Sequence, residues 1–119
     1  MRNRYYQQGD VVVKPCAIIP DGAKRVSVDA KRHKLVLARG EHTGMGHVIE
    51  EDGVEMYERD GVLYLKVNRP TTTLRHENEA GNMVVEESHD PMEITTGTYK
   101  IDIVKEYDPF EKEINNVYD

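Results

Sequence analysis

Two Asp-Gly dipeptides eight residues apart, Asp52-Gly53 and Asp60-Gly61, constrain this chain more than any other feature. Each lies between two β-like runs. Asp-Gly favours the two-residue type I′ hairpin, because both central residues of that turn need φ > 0. Residues 35–68 therefore read as a strand, a Gly-rich loop and a three-stranded meander. With both turns taken as hairpins, Ile49 lies opposite Met56, and Met56 lies opposite Leu65. One face then collects Ile49, Val54, Met56, Leu63, Leu65 and Val67, which is a core face. The other collects Val48, Glu50, Glu55, Tyr57, Tyr64 and Lys66, with Tyr57 beside Tyr64 and Glu55 beside Lys66. A slip of one residue would scramble this sorting.

The same register puts His47 on the core face, at the open end of the first meander strand, opposite Glu58. Two roles fit that address. One is a partly buried imidazole hydrogen-bonded to Glu58. The other is a ligand or catalytic histidine at a barrel mouth, where small-molecule sites often lie.

A chain of 119 residues is expected to be one domain. It has one Phe and no Trp, so its core should be built from Val, Ile, Leu and Met, with Tyr at the edges. Single Cys16 excludes an intramolecular disulfide and suits a reducing compartment, or simply no redox role. No run approaches the ~20 apolar residues of a membrane-spanning helix, so no membrane role is expected. The expected location is cytoplasmic, or in a virion if the chain is phage-encoded. The net charge of −6 divides into +6 over residues 1–40 and −12 over residues 41–119. The two parts could neutralise each other within one sheet, associate head to tail between copies, or leave a basic patch for an anion. A protein partner or self-association is expected. Nucleic acid is not, because overall acidity runs against a dominant basic face.

The rest of the chain is also strand-like. Residues 1–8 form a polar arm, and residues 11–14 are a first strand, ended by Pro15. Residues 17–19 are a short apolar continuation. Residues 25–28 alternate as a strand should, and residues 29–34 form a charged loop. After residues 34–39, another strand, comes Gly40-Glu41-His42-Thr43-Gly44-Met45-Gly46-His47, with three glycines, two histidines and a glutamate in eight residues. Its spacing is neither that of a P-loop nor that of an HExxH zinc helix. Arg69-Pro70 should break the chain before a strand over residues 71–76. Residues 83–87, 92–95 and 98–106 follow, with a turn at Thr96-Gly97. Asp108 suits an N-cap and Pro109 a first helical position. Phe110, Ile114 and Val117 then fall on one helical stripe.

His42, His47, His76 and His89 all fall at strand ends or corners beside carboxylates: Glu41, Glu50, Glu77 and Asp90. Three imidazoles and a carboxylate could hold Zn, Fe, Mn or Ni in an all-β cavity. The candidate metal set is His47, His76, His89 and Glu58, with His42, Glu41 and Glu50 as alternates. No catalytic residue and no organic cofactor site stands out.

Two resemblances add to this reading. Gly40, the Gly/His-rich loop, His47, Glu50 and Gly53 resemble a degraded first cupin motif, and residues 94–99 resemble the turn before a late cupin strand. Met45 stands where a cupin would carry the first His of His-x-His. The chain also resembles a group of small, uncharacterised bacterial and phage proteins. The shared features are Gln8-Gly9-Asp10-Val11, Gly40-Glu41 with Thr43-Gly44 and His47, His76-Glu77, His89 with Pro91, Gly97 with Tyr99, and Glu106-Tyr107-Asp108-Pro109. That resemblance implies a phage or mobile-element source.

The expected fold is all-β: a small single-domain barrel or cupin-like sandwich of about ten short strands. Residues 1–119 form one β-domain, with residues 1–8 as an N-terminal arm and residues 107–119 as a C-terminal arm or short helix. The expected function is a non-catalytic binding or assembly module, such as a phage accessory or virion-associated protein. The alternative is a cupin-like metal-binding protein or small metalloenzyme.

Overall fold

The computed structural model describes residues 5–39, 46–78, 80–83 and 90–103. Among these residues every regular element is a strand: β1 (Tyr6–Gln8), β2 (Val11–Pro15), β3 (Lys24–Arg25), β4 (Leu35–Arg39), β5 (Gly46–Ile49), β6 (Val54–Arg59), β7 (Val62–Glu77) and β8 (Met92–Ile103). They form one antiparallel sheet in the order β1-β2-β8-β7-β5-β4, with β6 also on β7 and β3 on β6. The all-β expectation holds, but the sheet does not close into a barrel: β1 and β4 end the order without pairing each other. Eight strands are described: the chain merges residues 62–68 with 71–76 into β7 and residues 92–95 with the start of 98–106 into β8, and most of the run expected at residues 83–87 lies outside the described residues. Residues 6–8, expected in an arm, pair with β2 as β1. The stripe at residues 107–119 lies outside the described residues.

β7 organises the sheet. Its first half, Val62 to Val67, lies between β6 and β8. Its second half keeps β8 as far as Leu74 and takes β5 on its other edge at Arg75 to Glu77. Arg69-Pro70 does not break this strand. Its register against β8 shifts between Val67 and Thr71 instead. Proline has no N–H to give a ladder, so it sits where the ladder is already interrupted. Thr96-Gly97 is likewise no turn; β8 runs through it.

The second half of the meander is as expected. Met56 pairs Leu65, Tyr57 pairs Tyr64 and Glu55 pairs Lys66. Asp60 (φ 54°) and Gly61 (φ 83°) both take positive φ, as a type I′ turn requires. The first half is corrected: β5 does not pair β6. Here Gly53 alone takes positive φ (73°), and the Val54 amide donates to the Glu51 carbonyl at 3.0 Å. Positive φ only at the third position marks a type II turn, which splays the flanking strands. The same dipeptide thus makes a hairpin at one place and a corner at the other. Past the corner β5 finds other partners: Ile49 pairs Leu35 and His47 pairs Ala38 on β4, while His47 pairs His76 on β7.

The core gathers Val11, Val13, Leu35, Leu37, Ile49, Val54, Met56, Leu65, Val67, Leu74, Ile94 and Ile101. Leu63 packs against it partly buried. Val48, expected on the mixed face, is fully buried, because β5 is covered on both faces. Tyrosine is not confined to the edges. Tyr99 is wholly buried, edge-on to Tyr6 at 6.0 Å, and its hydroxyl donates to the Thr95 carbonyl at 2.8 Å. That internal hydrogen bond offsets the cost of burying the phenol.

Candidate functional site

Strand alternation and the β5–β7 register bring two histidines together. Leu74 and His76 share the core-side face of β7, both buried. His47 lies opposite His76, and their rings stand 4.8 Å apart between centroids at 37°. His47 is 2% exposed and His76 5%.

Gln8 enters this pair from β1. Its side chain is fully buried, and its amide nitrogen donates to the carbonyls of Leu74 and Asp90, both at 2.9 Å. Two carbonyl acceptors occupy both amide protons, so the Gln8 oxygen is the acceptor facing His47 Nδ1 at 2.8 Å. The proton in that bond belongs to Nδ1. Nε2 then lies on the side of Asp10, whose Oδ1 is 3.9 Å away.

The other face of β7 carries a second polar group. Glu77 is 1% exposed, and both of its carboxylate oxygens accept from Lys34 Nζ, at 2.9 and 3.0 Å. Arg75 Nε approaches Oε2 at 3.0 Å. Arg32 donates to the backbone carbonyls of Glu77 and Asn78 at 3.3 and 2.9 Å. The buried carboxylate is thus matched by cations, the condition under which burial of a charge is tolerated.

The candidate metal residues are only partly assembled. His47 and His76 meet. Glu58 does not join them, because β6 has no ladder to β5: it pairs Leu63 and Lys24, and its carboxylate accepts from the Gly61 amide at 2.6 Å, bracing the hairpin. Glu50 points to solvent, 3.8 Å from Lys34 Nζ. His89, His42 and Glu41 lie outside the described residues. Among the described residues no three His, Cys, Asp or Glu side chains are placed to hold a metal ion. Sequence reasoning did not assign Gln8, Asp10 or Glu77 to the site. Their signal was present in the quoted Gln8-Gly9-Asp10 and His76-Glu77 motifs, but a polar residue in a short motif does not reveal which strand it will meet.

The fold and site define a small antiparallel β protein with a buried, amide-anchored histidine pair. The chain matches the family described as "Domain of unknown function (DUF8820)" over residues 7–103, and it belongs to that family. No curated protein and no solved structure matches it.

Proposed function

We propose that this domain is a non-catalytic binding module whose ligand-recognising centre is the His47–His76 pair. The observation that carries this reading is the Gln8 amide, which ties β1, β7 and Asp90, two residues before β8, to one imidazole. Such anchoring holds a side chain in one orientation and one tautomer, as a pre-organised binding site needs. The neighbouring groups serve the frame as well: Glu77 is committed to Lys34, and Gln8 to two carbonyls. The likeness to bacterial and phage proteins supports a phage accessory or virion-associated setting.

A metal ion is the second reading, favoured by the tautomer. A histidine that donates Nδ1–H to an oxygen presents Nε2 as the ligand atom, the usual arrangement around bound metals. Asp10 stands on that side. Tetrahedral ligation would bring the nitrogen and oxygen to about 3.3 Å, a small approach from the 3.9 Å observed. Elemental analysis of the full chain purified without a histidine tag tests it, together with thermal unfolding in added Zn, Fe, Mn or Ni. Bound metal at a hundredfold excess over Kd should stabilise the fold by about 2.7 kcal/mol, and joint replacement His47→Gln with His76→Gln should abolish the gain. Protein that carries no metal, and whose unfolding no added ion shifts, removes the metal reading. Imidazole NMR signals of His47 and His76 that respond neither to these ions nor to a small-molecule extract remove the binding centre itself.

A further inference from the structure

The face of the sheet turned away from the core carries one continuous transverse row. Strand registers place Arg25 on β3 opposite Tyr57 on β6, Tyr57 opposite Tyr64 on β7, Tyr64 opposite Lys100 on β8, and Lys100 opposite Lys14 on β2. Tyr5, one residue before β1, completes the row: Lys14 Nζ stands 6.0 Å from its ring centroid. At the other end the Arg25 guanidinium stands 5.9 Å from the Tyr57 centroid. Six side chains in line, three cations and three tyrosines, span about 24 Å at the usual strand spacing. The row itself holds no carboxylate. Two carboxylates flank it: Asp102, paired with Lys14, and Glu55, which accepts from the Tyr57 hydroxyl and lies opposite Lys66. Tyr5 is 67% exposed, Arg25 is exposed, and the four between are half-buried, lying over the sheet rather than under it.

We infer that this tyrosine–cation row binds single-stranded nucleic acid. Cations at intervals follow a phosphate backbone, and aromatic rings between them offer faces on which unpaired bases stack. A duplex keeps its bases stacked internally, so the rings select the single strand. An acidic peptide would use the cations but leave three tyrosines without a role. The overall charge of −6 argues against such a partner only if charge is spread evenly. The register instead draws Lys14 and Arg25 from the basic first third of the chain and sets them in line with Lys100. This surface lies on the opposite face of the sheet from the histidine pair, so the inference stands apart from the function proposed above.

Fluorescence anisotropy of labelled oligo-dT and oligo-rU of about twelve nucleotides, titrated with the full chain at several salt concentrations, tests it. Binding should weaken with salt, with a log–log slope near −2 for three phosphate contacts on a single strand. Arg25→Gln and Lys100→Gln should each reduce that slope by about 0.7. Tyr5→Ala should weaken binding about fivefold or more, and its exposure keeps the fold intact, which an unchanged unfolding midpoint verifies. Duplex DNA of the same length should bind less tightly. The inference is overturned if neither oligonucleotide binds at low salt. It is equally overturned if polyglutamate binds as tightly as the oligonucleotides, or if Tyr5→Ala and Tyr57→Ala leave affinity unchanged.

Discussion

Gln8 sets the tautomer of His47. Its amide protons go to the Leu74 and Asp90 carbonyls, so its oxygen can only accept, and His47 Nδ1 must donate. One buried side chain thereby joins β1 to β7 and orients an imidazole 39 positions further along the chain. Gln8→Leu keeps much of the volume and removes every one of these bonds. The Leu74 carbonyl is buried, and losing its donor should cost about 1–3 kcal/mol. Urea unfolding should show the loss, and the nitrogen shifts of His47 should report a change in its tautomer balance. A variant as stable as the parent, with the same shifts, would show that the amide does not act as the tie.

Met56 and Leu65 face each other across β6 and β7 with almost no exposure. Truncating either to alanine should destabilise the fold by about 2–5 kcal/mol. The two losses should not add in the double variant, because the side chains share one cavity. An unchanged denaturation midpoint for Leu65→Ala would contradict this packing.

This contact was legible in the sequence because it depends on local terms alone: a type I′ dipeptide and strict alternation on either side of it. The partner of Ile49 depended on more. Asp52-Gly53 carries the same letters as Asp60-Gly61, yet what sits above the turn differs. Arg69 packs over Gly53 and pairs with Asp52 at 2.8 Å, while nothing stands within 4 Å of the position a Gly61 side chain would take. A long-range contact therefore accompanies the change in turn type, and no reading of the turn itself could show it. The misplacement of Glu58 follows from the same step, since its pairing with His47 assumed a β5–β6 ladder. The meeting of His47 with His76 was legible only as two histidines at strand ends. The β5–β7 register that joins them spans the corner and the bulge at Val67 to Thr71. The tyrosine–cation row was hidden for a related reason: Tyr57 and Tyr64 were placed side by side, but the strands bearing Lys14 and Lys100 join them only through the order β2-β8-β7.

The two turns can be told apart by one substitution in each. Gly61→Ala meets only the backbone cost of positive φ, about 1–2 kcal/mol, because no atom lies near the added methyl group. Gly53→Ala meets that cost and a clash, since its Cβ would stand 3.0 Å from Arg69 Cδ and 3.2 Å from Arg69 Cβ. Gly53→Ala should therefore be the more destabilising. In an Arg69→Ala background, which removes Cγ and Cδ but keeps Cβ, its cost should fall part of the way toward that of Gly61→Ala, a coupling that a double-mutant cycle in urea measures. Equal costs in the parent would mean that Arg69 does not crowd the turn.

Asp29 supplies a pH dependence whose sign can be worked out. Its Oδ2 pairs with the Arg39 guanidinium at 2.8 Å, and its Oδ1 accepts from the Lys31 and Arg32 amides at 2.9 and 3.0 Å. First the Arg39 contact, then the two amides, hold its carboxyl down at about 2 from an ordinary 3.8. A carboxyl with a depressed folded-state pKa binds its proton more readily in the unfolded chain. Its contribution is complete above the unfolded value and drains away as pH falls toward the folded one. The window is thus about pH 4 down to pH 2. Asp29→Asn retains an oxygen for the two amides but removes the charge that faces Arg39. The parent should be the more stable above pH 4, and the gap should narrow steadily as pH falls to 2. Unfolding midpoints of both chains measured side by side across that range cancel the titration of every other carboxylate. A gap that stays constant from pH 6 to pH 2 would show that the Asp29 charge plays no part in holding the loop at residues 29–34.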